Sequence, residues 1–248
     1  MNGRAWEARG LSQAFAGSSG LLPAEVGVLA NLWPRLSGGR IVDVGVGGGR
    51  TVPYFSAPAR RYIALDLSHA MIEVCRAKHP GTDVRVDDAR ELATITDSTV
   101  DVVLFSFNGI DYVPPEERSL VYRAARRVLR PGGAFAFSSH NLRSFAGVES
   151  PIAPIVLTAN PIRMVARFGR AVGQTIRSYR NSRRLRPLER RGQDWALLND
   201  GAYASTLLTM YVDPAWQVAE LERAGFAGIR IIGERGLDVR KDTTDKWP

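Results

Sequence analysis

Along the first 140 residues, apolar positions fall into short runs separated by longer amphipathic stretches. Residues 41–46 (IVDVGV), 62–66 (YIALD), 83–86 (DVRV), 100–106 (VDVVLFS) and 134–139 (AFAFSS) are rich in β-branched or aromatic side chains. They stop at Gly, Asp or Ser, the pattern of strands that feed loops. Residues 68–79 (SHAMIEVCRAKH) predict a helix, with Ser68 as N-cap and Pro80 just past the end. Residues 115–129 predict another, with Pro115 and Glu116 in the first turn and Leu120, Val121, Ala124, Ala125 and Val128 on one stripe. Pro131-Gly132-Gly133 ends it. Residues 214–224 (PAWQVAELERA) predict a helix capped by Gly225, and 228–232 (GIRII) a last strand. Strands alternating with helices imply a doubly wound parallel sheet of the α/β class, covered on both faces. Ligands in such sheets bind at the carboxyl ends of the strands, near the point where strand order reverses.

The alternation fails between 145 and 205. This stretch shows no strand pattern and carries Pro151, Pro154 and Pro161. From Arg163 to Arg191 it has ten arginines and one acid, Glu189. Ile162, Val165, Ala166, Val172 and Ile176 recur at helical spacing, which predicts an amphipathic helix in an arginine-rich cap inserted over the strand ends. The chain is expected to be one domain over 1–248, with an N-terminal helical segment over 1–40 and the cap over 145–205.

Composition narrows the picture only a little. Hydrophobic residues are 45% of 248, enough for a sizeable core. A net charge of +8 suits an anionic partner without choosing among nucleic acid, phosphorylated metabolite and acidic membrane. Cys75 is the only cysteine, so intramolecular disulfides and cysteine metal sites are excluded; it reads as a buried thiol on a helix. There is no 18-residue apolar run, and MNGRAWEARG lacks the apolar stretch of a signal peptide, so a cytoplasmic location is expected.

The candidate chemistry begins at VDVGVGGGR. Gly45 and Gly47 allow a sharp turn and a close approach to a ligand. Asp43 can accept from loop amides or reach a cationic ligand through water. Arg50 stands where a nicotinamide fingerprint, GxGxxG, has its third glycine, and a bulky residue there hinders close helix–strand packing. Asp66 ends the second strand and can take both ribose hydroxyls; the competing reading is a helix cap. Asp87-Asp88-Ala89 follows the third strand, where a carboxylate and a backbone amide can meet an adenine edge; alone, it is as well explained by a turn.

Together VDVGVGGGR, IALDLSHAMIEVCR, VDDARELA, VDVVLFSFNGIDYV and RVLRPGGAFAFSSHN resemble the successive motifs of class I S-adenosylmethionine-dependent methyltransferases. The resemblance covers about 41–141. It implies a Rossmann-like seven-stranded sheet whose last strand is antiparallel. It implies S-adenosylmethionine as cofactor, with Gly45, Val46 and Gly47 at its methionine part and Asp66 at the ribose. Asp88 and Ala89 fall at the adenine, with Leu67 and Met71 against its ring and Phe107 alongside. Asp43 and Arg50 complete the loop set. SFNGIDYV, SSHN and YASTLLTMYVDPAWQ resemble a bacterial subgroup of polysaccharide and natural-product pathways.

Methyl transfer needs an oriented, desolvated acceptor and, for a hydroxyl, a base. His140, directly after the fifth strand, can be that base, or can merely shape its loop. Asn108, Asp111 and Tyr112 follow the fourth strand and can orient an acceptor; the bland reading is a tight turn with Asp111 paired to a cap arginine. No acidic cluster suggests a metal. The acceptor expected is small or glycan-like, with O-methylation favoured over N-methylation, and an anionic one would use the cap's charge. Three alternatives stay open: RNA methylation through the cap, a non-catalytic cofactor-binding protein, and a homodimer formed on the cap's apolar stripe. Against nucleic acid, Phe107-Asn108-Gly109-Ile110 lacks the Asn/Asp-Pro-Pro-aromatic run of base N-methylases.

Overall fold

A computed structural model describes residues 19–145, 147, 152 and 157–246. The central element is a five-stranded sheet of β1 (Arg40–Val44), β2 (Arg61–Asp66), β3 (Asp83–Val86), β4 (Val100–Phe105) and β5 (Leu129–Phe137). Its order is β3-β2-β1-β4-β5 and every pairing is parallel. A parallel sheet needs cover on both faces, and alternation along the strands supplies two cores. Val42, Val44, Ile63, Leu65, Val103 and Phe105 face one way. Ile41, Tyr62, Ala64, Val102 and Leu104 face the other.

Five helices cover the two faces. On the second face lie α1 (Pro23–Leu36), α2 (Val52–Phe55) and α3 (His69–Lys78), through Leu36, Phe55, Ile72 and Cys75. On the first lie α4 (Arg118–Val128) and, through Leu221, the helix over Pro214–Arg223. Ser68 caps α3 by accepting from the Met71 amide. Cys75 is wholly buried there, and burial pushes its thiol up to about 11. Fully burying a side chain of Val or Leu size contributes roughly 1.5–3 kcal/mol, so these two layers hold the frame rigid beneath the loops.

The insertion differs from its sequence pattern. It contains the long helix α5 (Pro161–Leu185), N-capped by Asn160, but also β7 (Arg190–Arg191) and β8 (Trp195–Leu198). These join β6 (His140–Asn141) and β9 (Thr209–Val212) in a second sheet, ordered β6-β9-β8-β7. Trp195–Leu198 is only four residues long, too short a run to show a period. The helix Pro214–Arg223 (α6) follows, its Asp213 N-cap accepting from the amides of Ala215 and Trp216.

Among the described residues the central sheet has five strands, and the expected seven are not confirmed. Residues 228–232 do not extend the sheet: Ile231–Ile232 (β10) folds back through a turn at Gly233–Gly236 onto Asp238–Val239 (β11). Two residues before a turn are too few to run along β5. Residues 1–18 of the expected N-terminal helical segment, and Pro151 and Pro154 of the cap, lie outside the described residues. The strand order reverses between β1 and β4, so the loops leaving those strands flank the crevice where ligands sit.

Candidate active site

The loop after β1 is shaped by three glycines at positive φ. A Cβ on Gly45 would come within 2.6 Å of the Phe105 ring, so this glycine is required for packing. A Cβ on Gly47 would meet nothing within 4 Å: it faces open space above the strand ends, where a ligand would be cradled. Asp66 ties the loop down. One carboxylate oxygen accepts from the Gly47 amide and the other from the Ser68 amide, each at 2.9 Å.

Four other members of the expected cofactor set have different surroundings. Asp43 is buried and accepts from the hydroxyls of Thr51 (2.6 Å) and Tyr62 (2.5 Å), so it braces the loop from beneath and does not reach a ligand. Burial pushes its carboxyl up to about 6. Val46 is buried in the core cluster that includes Ile41 and Val52. Met71 is 2% exposed and leaves almost no surface for an adenine ring. Arg50 forks onto both carboxylate oxygens of Glu25 (2.5 and 2.6 Å) and donates to the Gly20 carbonyl. It thereby joins α1 to the loop, and its guanidinium lies 4.9 Å from the centroid of Phe107.

The remaining members fit a nucleoside. Leu67 (51% exposed), Val86 (36%) and Phe107 (39%) end β2, β3 and β4 with apolar surface turned to solvent. Large apolar side chains are rarely left so at successive strand ends unless something covers them. Asp88 binds Arg90 through both oxygens, and Arg90 also pairs with Glu117. Burial raises the Asp88 carboxyl, but the Arg90 bonds more than offset this and hold it below the usual range, an ionised acceptor. Ala89 packs against the core beside it.

The second half of the site is a buried polar network centred on Asp111. Asp111 Oδ2 accepts from the His140 amide at 2.6 Å and from its ring Nδ1 at 2.8 Å. Oδ1 accepts from Ser139 Oγ at 2.6 Å and from Arg118 at 2.8 Å. Burial pushes the carboxyl up, yet Arg118 and His140 together outweigh it and leave it ionised below the usual range. An ionised carboxylate only accepts, so Nδ1 carries a hydrogen, and in the neutral ring Nε2 is then the acceptor. Asn108 Nδ2 donates to that Nε2 at 3.2 Å. Asn108 and Phe107 both hold positive φ, a conformation disfavoured for residues with a Cβ. Asn108 Oδ1 is buried and has no hydrogen-bond partner.

Arg118, Tyr122, Ser139 and Gln217 belong to this network and were not anticipated. Arg118 also donates to Gln217 (2.7 Å), Tyr122 (2.7 Å) and Ser139 (3.0 Å). The expected partner of Asp111, a cap arginine, is corrected to Arg118 of α4. Only a charged residue at the N-terminal edge of an apolar stripe hinted at it.

A cleft of about 1070 Å³ opens on these groups. Phe107, Asn108, Tyr112, His140, Tyr203 and Tyr211 line this end, and it continues past Phe135 and Phe137 of β5 toward α1. Burial raises the Tyr112 phenol well above its ordinary value, so it is a donor and a wall, not a base.

A parallel sheet with a glycine loop, an acid at the end of β2 and a His–Asp pair across the switch point is an arrangement able to hold a nucleoside cofactor beside a reacting group. Residues 41–133 match the family model described as "Methyltransferase domain". A probable S-adenosylmethionine-dependent methyltransferase of Mycolicibacterium smegmatis is 33% identical over 128 residues, 51% of this chain and 48% of that one. A phosphatidylethanolamine N-methyltransferase of Cereibacter sphaeroides is 33% identical over 142 residues, covering 55% and 63%. The crystal structure of an S-adenosylmethionine-dependent methyltransferase from Mesorhizobium loti superimposes with a TM-score of 0.54 at 21% identity, covering 82% of this chain and 81% of that one, a likeness of fold. The match over residues 41–133 and these relatives make this part of the chain similar to S-adenosylmethionine-dependent methyltransferases. It spans about half the length of the curated relatives it matches.

Proposed function

We propose that the protein methylates a hydroxyl group on a small-molecule acceptor held in the cleft beside His140. The observation that carries this reading is the His140–Asp111 pair, with Nδ1 held by the carboxylate and Nε2 left as an acceptor. When bound, S-adenosylmethionine supplies an electrophilic methyl on a sulfonium. Gly47, Asp66, Leu67, Asp88, Ala89 and Phe107 are the residues that would hold it. Asp111 orients the imidazole and stabilises the imidazolium that forms. His140 Nε2 removes the hydroxyl proton as the acceptor takes the place of Asn108 Nδ2. Tyr112 and Tyr211 exclude water from the reacting pair.

The aromatic lining favours a small molecule with an apolar part over a glycan. Relatives support this through their names: a ubiquinone biosynthesis O-methyltransferase of Xanthomonas oryzae and a probable phthiotriol/phenolphthiotriol dimycocerosates methyltransferase of Mycobacterium ulcerans. The test is turnover of S-adenosylmethionine with hydroxylated acceptors, followed by mass spectrometry, for the wild type and His140→Ala. Product on a hydroxyl that vanishes with His140→Ala supports the reading. Methylation confined to amines, and indifferent to position 140, overturns it.

A further inference from the structure

The positive charge of the chain sits in one place. The sequence has 33 Lys and Arg and 25 Asp and Glu. Eight of those arginines and none of the acids lie between residues 161 and 188, so the rest of the chain holds 25 of each and is neutral. This segment is α5 with the short turn after it.

The helix carries three distinct faces. At about 100° per residue, Ala171 and Ser178 share the face toward the body of the protein, and both are buried. Ser178 Oγ is 2.9 Å from Ser205 Oγ, and Asn181 donates to the Ala204 carbonyl at 3.0 Å. Val165, Phe168, Val172, Ile176 and Tyr179 fall within an arc of about 80° on a second face, and all five are exposed, Val165 to 74%. Most of the arginines, among them Arg170, Arg177, Arg180 and Arg184, occupy the third side.

We propose that α5 lies in the interface of an anionic lipid bilayer, with its apolar stripe inserted among the acyl chains and its arginines against the headgroups. An exposed apolar stripe beside a cationic face is the arrangement of an interfacial helix. Among the described residues no helix is long and apolar enough to cross a membrane, so the contact is one of lying on the surface. A second copy of the chain is a poor occupant, because two segments of eight arginines each would repel. A nucleic acid would answer the charge and leave the apolar stripe in water. The docked helix would also set the cleft against the bilayer, since the turn that anchors α5 includes Tyr203, a residue of the cleft wall.

The experiment is vesicle cosedimentation of the full chain, using phosphatidylcholine vesicles with and without phosphatidylglycerol. Binding is expected only with the anionic lipid. Val165→Asp/Ile176→Asp should weaken it at least about tenfold, as should Arg177→Gln/Arg180→Gln/Arg184→Gln. All of these side chains are exposed, and unchanged thermal melting confirms that the variants fold. The proposal fails if anionic vesicles are not bound at low salt, or if the stripe variant binds them as the wild type does. It fails equally if the stripe variant abolishes a homodimer seen by sedimentation equilibrium while the wild type ignores vesicles, or if an RNA oligonucleotide binds, indifferent to the stripe, and vesicles do not.

Discussion

Asp111 Oδ2 receives both the backbone hydrogen and the Nδ1 hydrogen of His140, so a single carboxylate oxygen fixes the ring's position and its tautomer. On the proposed mechanism, His140→Ala lowers kcat by about 10²–10⁴-fold and leaves the Kd for S-adenosylhomocysteine unchanged. Single-turnover rates on a hydroxyl acceptor read this directly; equal rates for both proteins would remove His140 from the chemistry.

The same carboxylate is half of a buried ion pair with Arg118, and both side chains are at most 2% exposed. Replacing Arg118 with Met leaves a buried charge with fewer partners and should cost about 3–5 kcal/mol. The pH dependence has a definite sign. A depressed folded-state pKa stabilises above the ordinary carboxylate pKa and loses that stability as pH falls through the folded value. Without Arg118 the Asp111 value rises, so acid unfolding begins at higher pH; urea titrations across pH detect this.

Asp43 behaves in the opposite way. Burial raises its carboxyl from 3.8 to about 6, so the fold binds the proton more tightly than the unfolded chain does. Its contribution is therefore greatest below pH 3.8 and declines as pH rises to about 6, by roughly 3 kcal/mol at most. Asp43→Asn should remove this slope. A variant whose stability tracks the wild type from pH 4 to 7 would contradict the assignment.

Gly45 and Gly47 separate packing from binding. Gly45→Ala drives a methyl into Phe105 and should lower Tm markedly. Gly47→Ala meets no protein atom and should cost only the left-handed backbone strain, about 1–2 kcal/mol, while weakening S-adenosylhomocysteine binding measured by calorimetry. Comparable loss of Tm in the two, with binding intact at position 47, would place the ligand elsewhere.

Asp66→Ala removes an ionised acceptor worth about 1.5–3 kcal/mol per hydrogen bond. Cofactor affinity should fall by roughly 10–100-fold.

The five parallel strands were legible because each holds a run of β-branched or aromatic residues closed by a turn residue. The strand-end positions of Asp66 and Asp88 were legible because each acid closes an apolar run. The second sheet was not, since strands of two to four residues have no period to read. The Asp111 network was not legible either: Arg118 and Gln217 are 99 residues apart and each looks like a surface residue in its own helix. Burial of such groups is a property of the assembled layers. Asp43 was misread for the same reason: its partners Thr51 and Tyr62 come from neighbouring elements, and their hydroxyls turn the carboxylate inward.

Asn141, the residue after His140, donates from its side chain to the carbonyls of Thr243 and Asp245, 102 and 104 positions later. Its backbone amide donates to the Lys246 carbonyl. During synthesis the strand that bears His140 therefore waits for these residues to emerge before its flank is closed. The sheet and glycine loop can form on the growing chain, whereas the wall beside His140 closes only once residues 243–246 have been made. Removing Thr243–Lys246 would leave the glycine loop in place and the neighbour of His140 untethered.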